Sequence, residues 1–307
     1  MITDRIDSVT KIKTLKAHQP APTSVKIELT GRCNFRCSFC ARSDLLRKQE
    51  DMNWQMYVRL VNEMRDAGVK ELGMFYLGES MMYPKLADAI RLAKDIGFEY
   101  VFLTTNASLA TPKKVEECMD AGLDSLKWSF NYSGPEQLHD IAGVKPKIWN
   151  VMLENIEDAF YIREASYSCG LYASYIEYDG EQGEKMVKAL ELVTPFVDEV
   201  YALPLYNQAS LVTEKEREKG WEASPGNRGR AGMLRDPLPC WAVFQGHITS
   251  GGLLSACCFD HNEALTMADL KDVSFMEGWN SPAFQSLRAA HINKDVKGTA
   301  CEHCVLI

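Results

Sequence analysis

The chain lacks what would place it in a membrane, carry it across one, or draw it onto nucleic acid. No stretch approaches the uninterrupted apolar length of a membrane span, and Met1-Ile-Thr-Asp-Arg5 is too polar to open a secretory signal. A cytoplasmic protein with no membrane partner is expected. Basic charge is also short, with 34 Lys and Arg against 42 Asp and Glu. The resulting net charge of −8 disfavours general attraction to DNA or RNA. Low-complexity tracts and solenoid repeats are absent. The 23 residues before the first strand are too few for a peptide-binding module of several strands and helices.

The chain is not short of cysteine. It has ten, and in an unsecreted protein these are better explained as metal ligands than as disulfides, because cytosolic thiols stay reduced. Three lie at 33 to 40, five at 240 to 304, and only Cys118 and Cys169 fall between. The length suits one large domain and one small one.

Between the two cysteine groups the pattern alternates. A β-branched apolar run over 24–30 ends at Gly31. Asn53 is placed to cap a helix from Trp54 to about Ala67, followed by a strand over 71–77. A helix from Pro84 to Ile96 leads to a strand over 100–105. Thr111-Pro112 opens a helix that stops at Gly122, before a strand over 124–129. Residues 149–164 and 183–194 read as helices, and 170–177 and 198–203 as extended. Six strands alternating with helices imply a parallel sheet with right-handed crossovers, leaving open sheet and barrel unresolved. Residues 206–235, rich in charge and carrying Gly226-Asn-Arg-Gly-Arg230, read as a linker. A second unit over 236–307 follows, with a hairpin near 248–254 and a helix over 282–291.

Cys33, Cys37 and Cys40 follow the first strand as C-x3-C-x2-C, with Phe39 before the last. Three thiolates this close can hold three corners of a four-iron cluster and leave the fourth iron open. A zinc knuckle needs a fourth Cys or His nearby, and His18 lies before the strand. The strand, the spacing and Phe39 together resemble the signature of the radical S-adenosylmethionine (SAM) superfamily. The resemblance implies a partial (β/α)6 TIM-like barrel over 24–205 behind an N-terminal arm of 1–23. It also implies that the open iron binds SAM, whose reductive cleavage gives a 5′-deoxyadenosyl radical.

Functional groups of parallel α/β folds gather at the carboxyl ends of the strands. Gly78-Glu79 in Tyr76-Leu-Gly-Glu-Ser80 resembles the family's Gly-Gly-Glu segment, which accepts bonds from the SAM ammonium. Leu77 stands for the first glycine. Ser129 resembles the strand-four hydroxyl on the SAM ribose, and Phe39 is expected near the adenine. Asn106 and Asn131 are placed to join the cofactor, though each equally suits a turn. The lesser reading of a carboxylate at 79 is a helix start near Pro84.

Cys240, Cys257, Cys301 and Cys304 supply four more thiolates, a set that suits zinc or a closed iron-sulfur cluster. Pro239-Cys240, Gly252-x4-Cys257, the segment Trp279 to Arg288 and Cys301-x2-Cys304 are similar to SPASM and its shorter relative, twitch. A full SPASM domain has seven cysteines and two clusters. The five here match a twitch-type domain with one, so the expected cofactors are two [4Fe-4S] clusters and SAM. The glycine spacing selects Cys257 over Cys258 as ligand. Cys258, pointing the other way on an extended segment, becomes a candidate hydrogen donor. Arg228, in a loop similar to one in a twitch dehydrogenase, is a candidate substrate contact. The expected enzyme is a radical SAM oxidoreductase or epimerase. It would act on a small polar substrate of amino-sugar or aminocyclitol type and be served by a flavodoxin- or ferredoxin-like reductant. A peptide maturase and a noncatalytic zinc or iron-sulfur binding protein are the alternatives.

Overall fold

The structure, a computed structural model, describes residues 1–41, 46–178, 180–211, 224 and 238–305. Arg228 and most of the expected linker lie outside the described residues. Among the described residues one hydrogen-bonded sheet runs in the order β6-β5-β4-β3-β2-β1-β7-β8-β9. Its strands are β1 (Ser24–Ile27), β2 (Glu71–Gly73), β3 (Tyr100–Thr105), β4 (Ser125–Ser129), β5 (Gly170–Ile176), β6 (Glu199–Leu203), β7 (Gly246–Ile248), β8 (Leu253–Ser255) and β9 (Thr266–Asp269). Pairs from β6 across to β7 are parallel, and β8 and β9 add antiparallel.

Helices cover the outer face: α2 (Trp54–Asp66), α3 (Leu86–Asp95), α4 (Pro112–Asp120), α5 (Pro135–Ala142), α6 (Ile148–Ser166) and α7 (Gly180–Leu190). Strand residues alternate accordingly. In β3, Val101, Leu103 and Thr105 are buried, whereas Tyr100, Phe102 and Thr104 are half-buried on the opposite side. Those inward residues, with counterparts from all six strands β1 to β6, enclose a cavity of about 340 Å³, which requires the sheet to curl into a partial barrel. Asn53 caps α2 through the Met56 amide. Gly68 and Gly122, both at φ 96°, end α2 and α4 in a conformation costly for any other residue. Thr111 precedes α4 but makes no capping bond.

Several expectations change. The second strand stops at Gly73, because Glu28 captures the Leu77 and Gly78 amides that a longer strand would use. The arm is a helix, α1 (Ile2–Thr10), whose Ile2, Arg5, Ile6 and Val9 line the cavity. It is held by Glu199, which accepts from the Ile2 amide at 2.6 Å, and by the Arg5–Glu71 ion pair at 2.6 Å. The hairpin is β7–β8, and β7 pairs with β1 through Val25↔Gly246 and Ile27↔Ile248, so the C-terminal segment continues the barrel sheet. Its helices α8 (Phe275–Trp279) and α9 (Pro282–Ile292) follow, and α8 packs on α2, where Glu63 accepts from the Phe275 amide at 2.8 Å. No described helix is long and apolar enough to cross a membrane.

Candidate active site and auxiliary cysteine site

The loop carrying Cys33, Cys37 and Cys40 leaves the carboxyl end of β1 and is pinned on several sides. Asn34 bonds Ser108 and Asn106 after β3. The Arg36 and Ser38 amides donate to Ala142 and Ile141 at the end of α5. Cys37 Sγ lies 2.9 Å from the Tyr132 hydroxyl after β4. Gln208, beyond β6, accepts from the Ala41 amide and donates to the Phe39 carbonyl at 2.7 Å. Phe39 is buried with its ring 6.3 Å from Tyr132.

The thiols disfavour one another's ionisation. Burial, then Cys40 and Cys33, push the Cys37 thiol well up. A donor set that repels its own charges is one that bound iron would compensate, so the loop fits a cluster. Among the described residues no three His, Cys, Asp or Glu side chains gather closely enough to hold one metal ion.

Gly78 lies against the loop's backbone: a β-carbon there would sit 1.9 Å from the Thr30 carbonyl oxygen, so only glycine fits. Glu79 donates its amide to Arg32 and is buried, with Oε1 accepting from the Met81 amide and Thr105 Oγ1 and Oε2 from the Asn106 amide. It therefore caps the 3-10 turn Ser80–Met82 and ties it to the end of β3, leaving about one of its four acceptor positions for anything else. Burial raises its pKa against those bonds. Asn106 closes a turn by accepting from the Ser108 amide and hydroxyl. Ser129 is half-buried, its hydroxyl unbonded among the described residues; the Asn131 carbonyl accepts from Tyr178 at 3.3 Å. All these groups stand at one end of the sheet.

Cys240, Cys257, Cys301 and Cys304 line a separate small cavity of about 20 Å³. Burial, with Cys301 and Cys304 adding to it, pushes the Cys240 thiol up, and burial with Cys304 pushes Cys301 up to about 12. This set also fits a metal cluster. Arg288 braces its wall, fully buried, with Nε donating to Val243 at 3.0 Å and its guanidinium 4.0 Å from the Trp279 ring. Cys258 instead lines the barrel cavity.

A family model of the radical SAM superfamily matches residues 27–164, and one described as an iron-sulfur cluster-binding domain, SPASM, matches 240–305. The chain carries a radical SAM domain followed by a SPASM domain. As a radical SAM enzyme its cofactors are SAM, the four-iron cluster that cleaves it and an iron-sulfur cluster in the SPASM domain. Over 119 residues the chain is 32% identical to the "Probable GTP 3',8-cyclase" of Methanothermobacter marburgensis. That stretch is 39% of this chain and 38% of the relative's length. Among solved structures it is similar to BtrN in complex with AdoMet and 2-DOIA, at TM-score 0.60 and 16% identity, covering 92% of each chain. It is also similar to Streptococcus suis SuiB bound to precursor peptide SuiA, at TM-score 0.63 and 16% identity, covering 88% of this chain and 67% of that one. At these identities the structural likeness speaks for the fold alone.

Sequence reasoning passed over five residues that build the site. Glu28, buried at the end of β1, accepts from the Leu77, Gly78 and Ser250 amides and pairs with Arg47 at 2.5 Å. Tyr132 holds Cys37, and Lys26 and Lys127 enter the cavity. The available signal was alternation: Ser24, Lys26 and Glu28 put polar groups at every second position of a strand that a parallel sheet buries on both faces.

Proposed function

We propose that this radical SAM enzyme oxidises, epimerises or dehydrates a small molecule held in the barrel cavity. The observation that carries this reading is the cavity itself. At about 340 Å³ it has the size of a small-molecule site, it reaches Tyr76 just before Gly78-Glu79, and α1 closes its other end. Cys33, Cys37 and Cys40 are the residues that would hold the SAM-cleaving cluster. Phe39, Gly78, Glu79, Asn106, Ser129 and Asn131 are the residues that would contact SAM, and Cys240, Cys257, Cys301 and Cys304 would hold the SPASM cluster. When bound, these groups supply a 5′-deoxyadenosyl radical that abstracts hydrogen, and a one-electron acceptor. The protein's part is to pin the cysteine loop from four sides, exclude water through the aromatic walls of the cavity, and keep the two cysteine groups in separate spaces. A peptide substrate is the second reading, supported by the likeness to SuiB bound to precursor peptide SuiA.

Removing Cys301 and Cys304 together tests the acceptor role. The variant is expected to retain SAM cleavage to 5′-deoxyadenosine and to lose product; full turnover would make the second site purely structural, and zinc in anaerobically purified protein would overturn the iron assignment.

Cys258 is the candidate hydrogen donor because it lines the barrel cavity, whereas Cys257 lines the small cavity shared with the other cysteines. A hydrogen bond from Cys257 lowers the Cys258 pKa against burial, but that bond needs a proton which a metal-bound Cys257 does not carry. In the step, the S–H bond breaks and a C–H bond forms on the substrate radical. The thiyl left behind is restored by one proton and one electron from a flavodoxin- or ferredoxin-type donor. In deuterated water, Cys258→Ala is expected to form 5′-deoxyadenosine but lose the inverted, deuterium-labelled product. Normal product with normal label would eliminate the donor role, and an oxidised, unlabelled wild-type product would favour a dehydrogenase.

A further inference from the structure

The barrel cavity holds two lysines that make no ion pair with a carboxylate among the described residues. Lys26, inward on β1, and Lys127, inward on β4, both line it, and among the described residues neither ammonium has a hydrogen-bond or carboxylate partner. Both stand over rings: Lys26 Nζ is 5.7 Å from the Trp241 centroid, and Lys127 Nζ is 5.9 Å from both Phe75 and Tyr201. The cavity's third cation, Arg5, is already committed to Glu71 at the floor. Burial lowers both lysine pKa values, Lys127 to about 8; at Lys26 the Cys258 thiol works against burial and Lys127 works with it. An enclosed ammonium without a counter-ion is strongly disfavoured unless something supplies the charge. Ring faces offset only part of that cost.

We propose that Lys26 and Lys127 together bind the anionic group, carboxylate or phosphate, of a small substrate whose flat apolar body lies among the cavity's aromatic rings. This rests on the reading of the cavity as the substrate site. It narrows the substrate class away from amino sugars and aminocyclitols, whose ammonium groups two lysines would repel. Phe75, Tyr76, Phe102, Tyr172, Tyr201 and Trp241 form the walls, so a planar body is matched by stacking and an extended polyol is not. Cys258 lines the same cavity, and the Lys26 ammonium acts on it electrostatically, so an anion held by the lysines also lies beside the candidate donor.

The test is direct binding to the anaerobically reconstituted holoenzyme with SAM, followed by calorimetry and by the fluorescence of Trp241, with Trp241→Phe as the optical control. Benzoate, phenyl phosphate and neutral benzamide are the probes. At least one anion is expected to bind roughly tenfold or more tighter than benzamide, the preferred anion assigning the group. Lys26→Met and Lys127→Met are each expected to weaken that anion about tenfold and together to bring it to the benzamide level. Both variants should unfold at the same denaturant concentration as wild type or higher, because each removes a buried unpaired charge. Equal binding of benzamide and benzoate, no anion binding at millimolar concentration, or unchanged affinity in the double variant would each overturn the proposal. Reductive SAM cleavage is measured in parallel: its absence in wild type would sink the radical reading while leaving the anion result to stand separately.

Discussion

Replacing Cys33, Cys37 and Cys40 together by alanine is expected to lower the iron of anaerobically reconstituted protein from about eight to about four atoms per chain, because each cubane holds four. Formation of 5′-deoxyadenosine should fall to background, and the SAM-induced change in the EPR spectrum should vanish. The remaining iron is expected because Cys240, Cys257, Cys301 and Cys304 enclose their own cavity and share no residue with the loop. The fold should survive, since the loop is held through Asn34, through the Arg36 and Ser38 amides and through Gln208, none of which needs a thiol. Persistent 5′-deoxyadenosine in the triple variant would remove the loop from the chemistry. Loss of all iron would mean that the two cysteine groups are not independent.

Glu28→Ala is expected to cost about 3–5 kcal/mol of stability, the usual effect of removing one partner of a buried ion pair. The Arg47 side chain is 5% exposed and Glu28 1%, so alanine leaves an uncompensated buried guanidinium. It also orphans the amides of Leu77, Gly78 and Ser250, each such loss costing about 1–3 kcal/mol where water cannot enter. Against a total stability of about 5–15 kcal/mol, a low yield of soluble protein is the direct consequence. Arg47→Met in the same chain should recover part of the loss, because the unpaired charge goes with it. Anaerobic urea unfolding of the single and double variants measures both effects. A single-variant loss under about 1 kcal/mol would show that the pair and its three amides are dispensable.

The elements were legible where they obey a simple period or stop signal. Asn53, Gly68, Pro112 and Gly122 announce helix boundaries locally, and the structure has α2 and α4 between them. The second strand was read four residues too long because Phe75, Tyr76 and Leu77 look like strand residues. Their backbone is diverted by Glu28, a residue nearly fifty positions away. The role of the arm over 1–23 was illegible for a similar reason: Arg5 acquires meaning only opposite Glu71 and Tyr100, which it overlies at 3.4 Å. Asn106 and Glu79 each carried two readings, and in the structure both serve turn or cap geometry.

By itself the sequence determined the chemistry that depends on spacing along the chain: a three-thiol loop directly after a strand, a four-thiol set later, and alternating strands and helices between them. Contacts within a few residues, and the periods of helix and strand, are properties of the local backbone and can be read without folding it. Only the tertiary structure decided that β7 pairs with β1 and extends the sheet, and that Glu28 joins three loops. Only it brought Lys26 and Lys127, a hundred residues apart, to one enclosed space. Such pairings depend on strand order and on which face of each strand the curled sheet turns inward, and neither is encoded in any single stretch of chain.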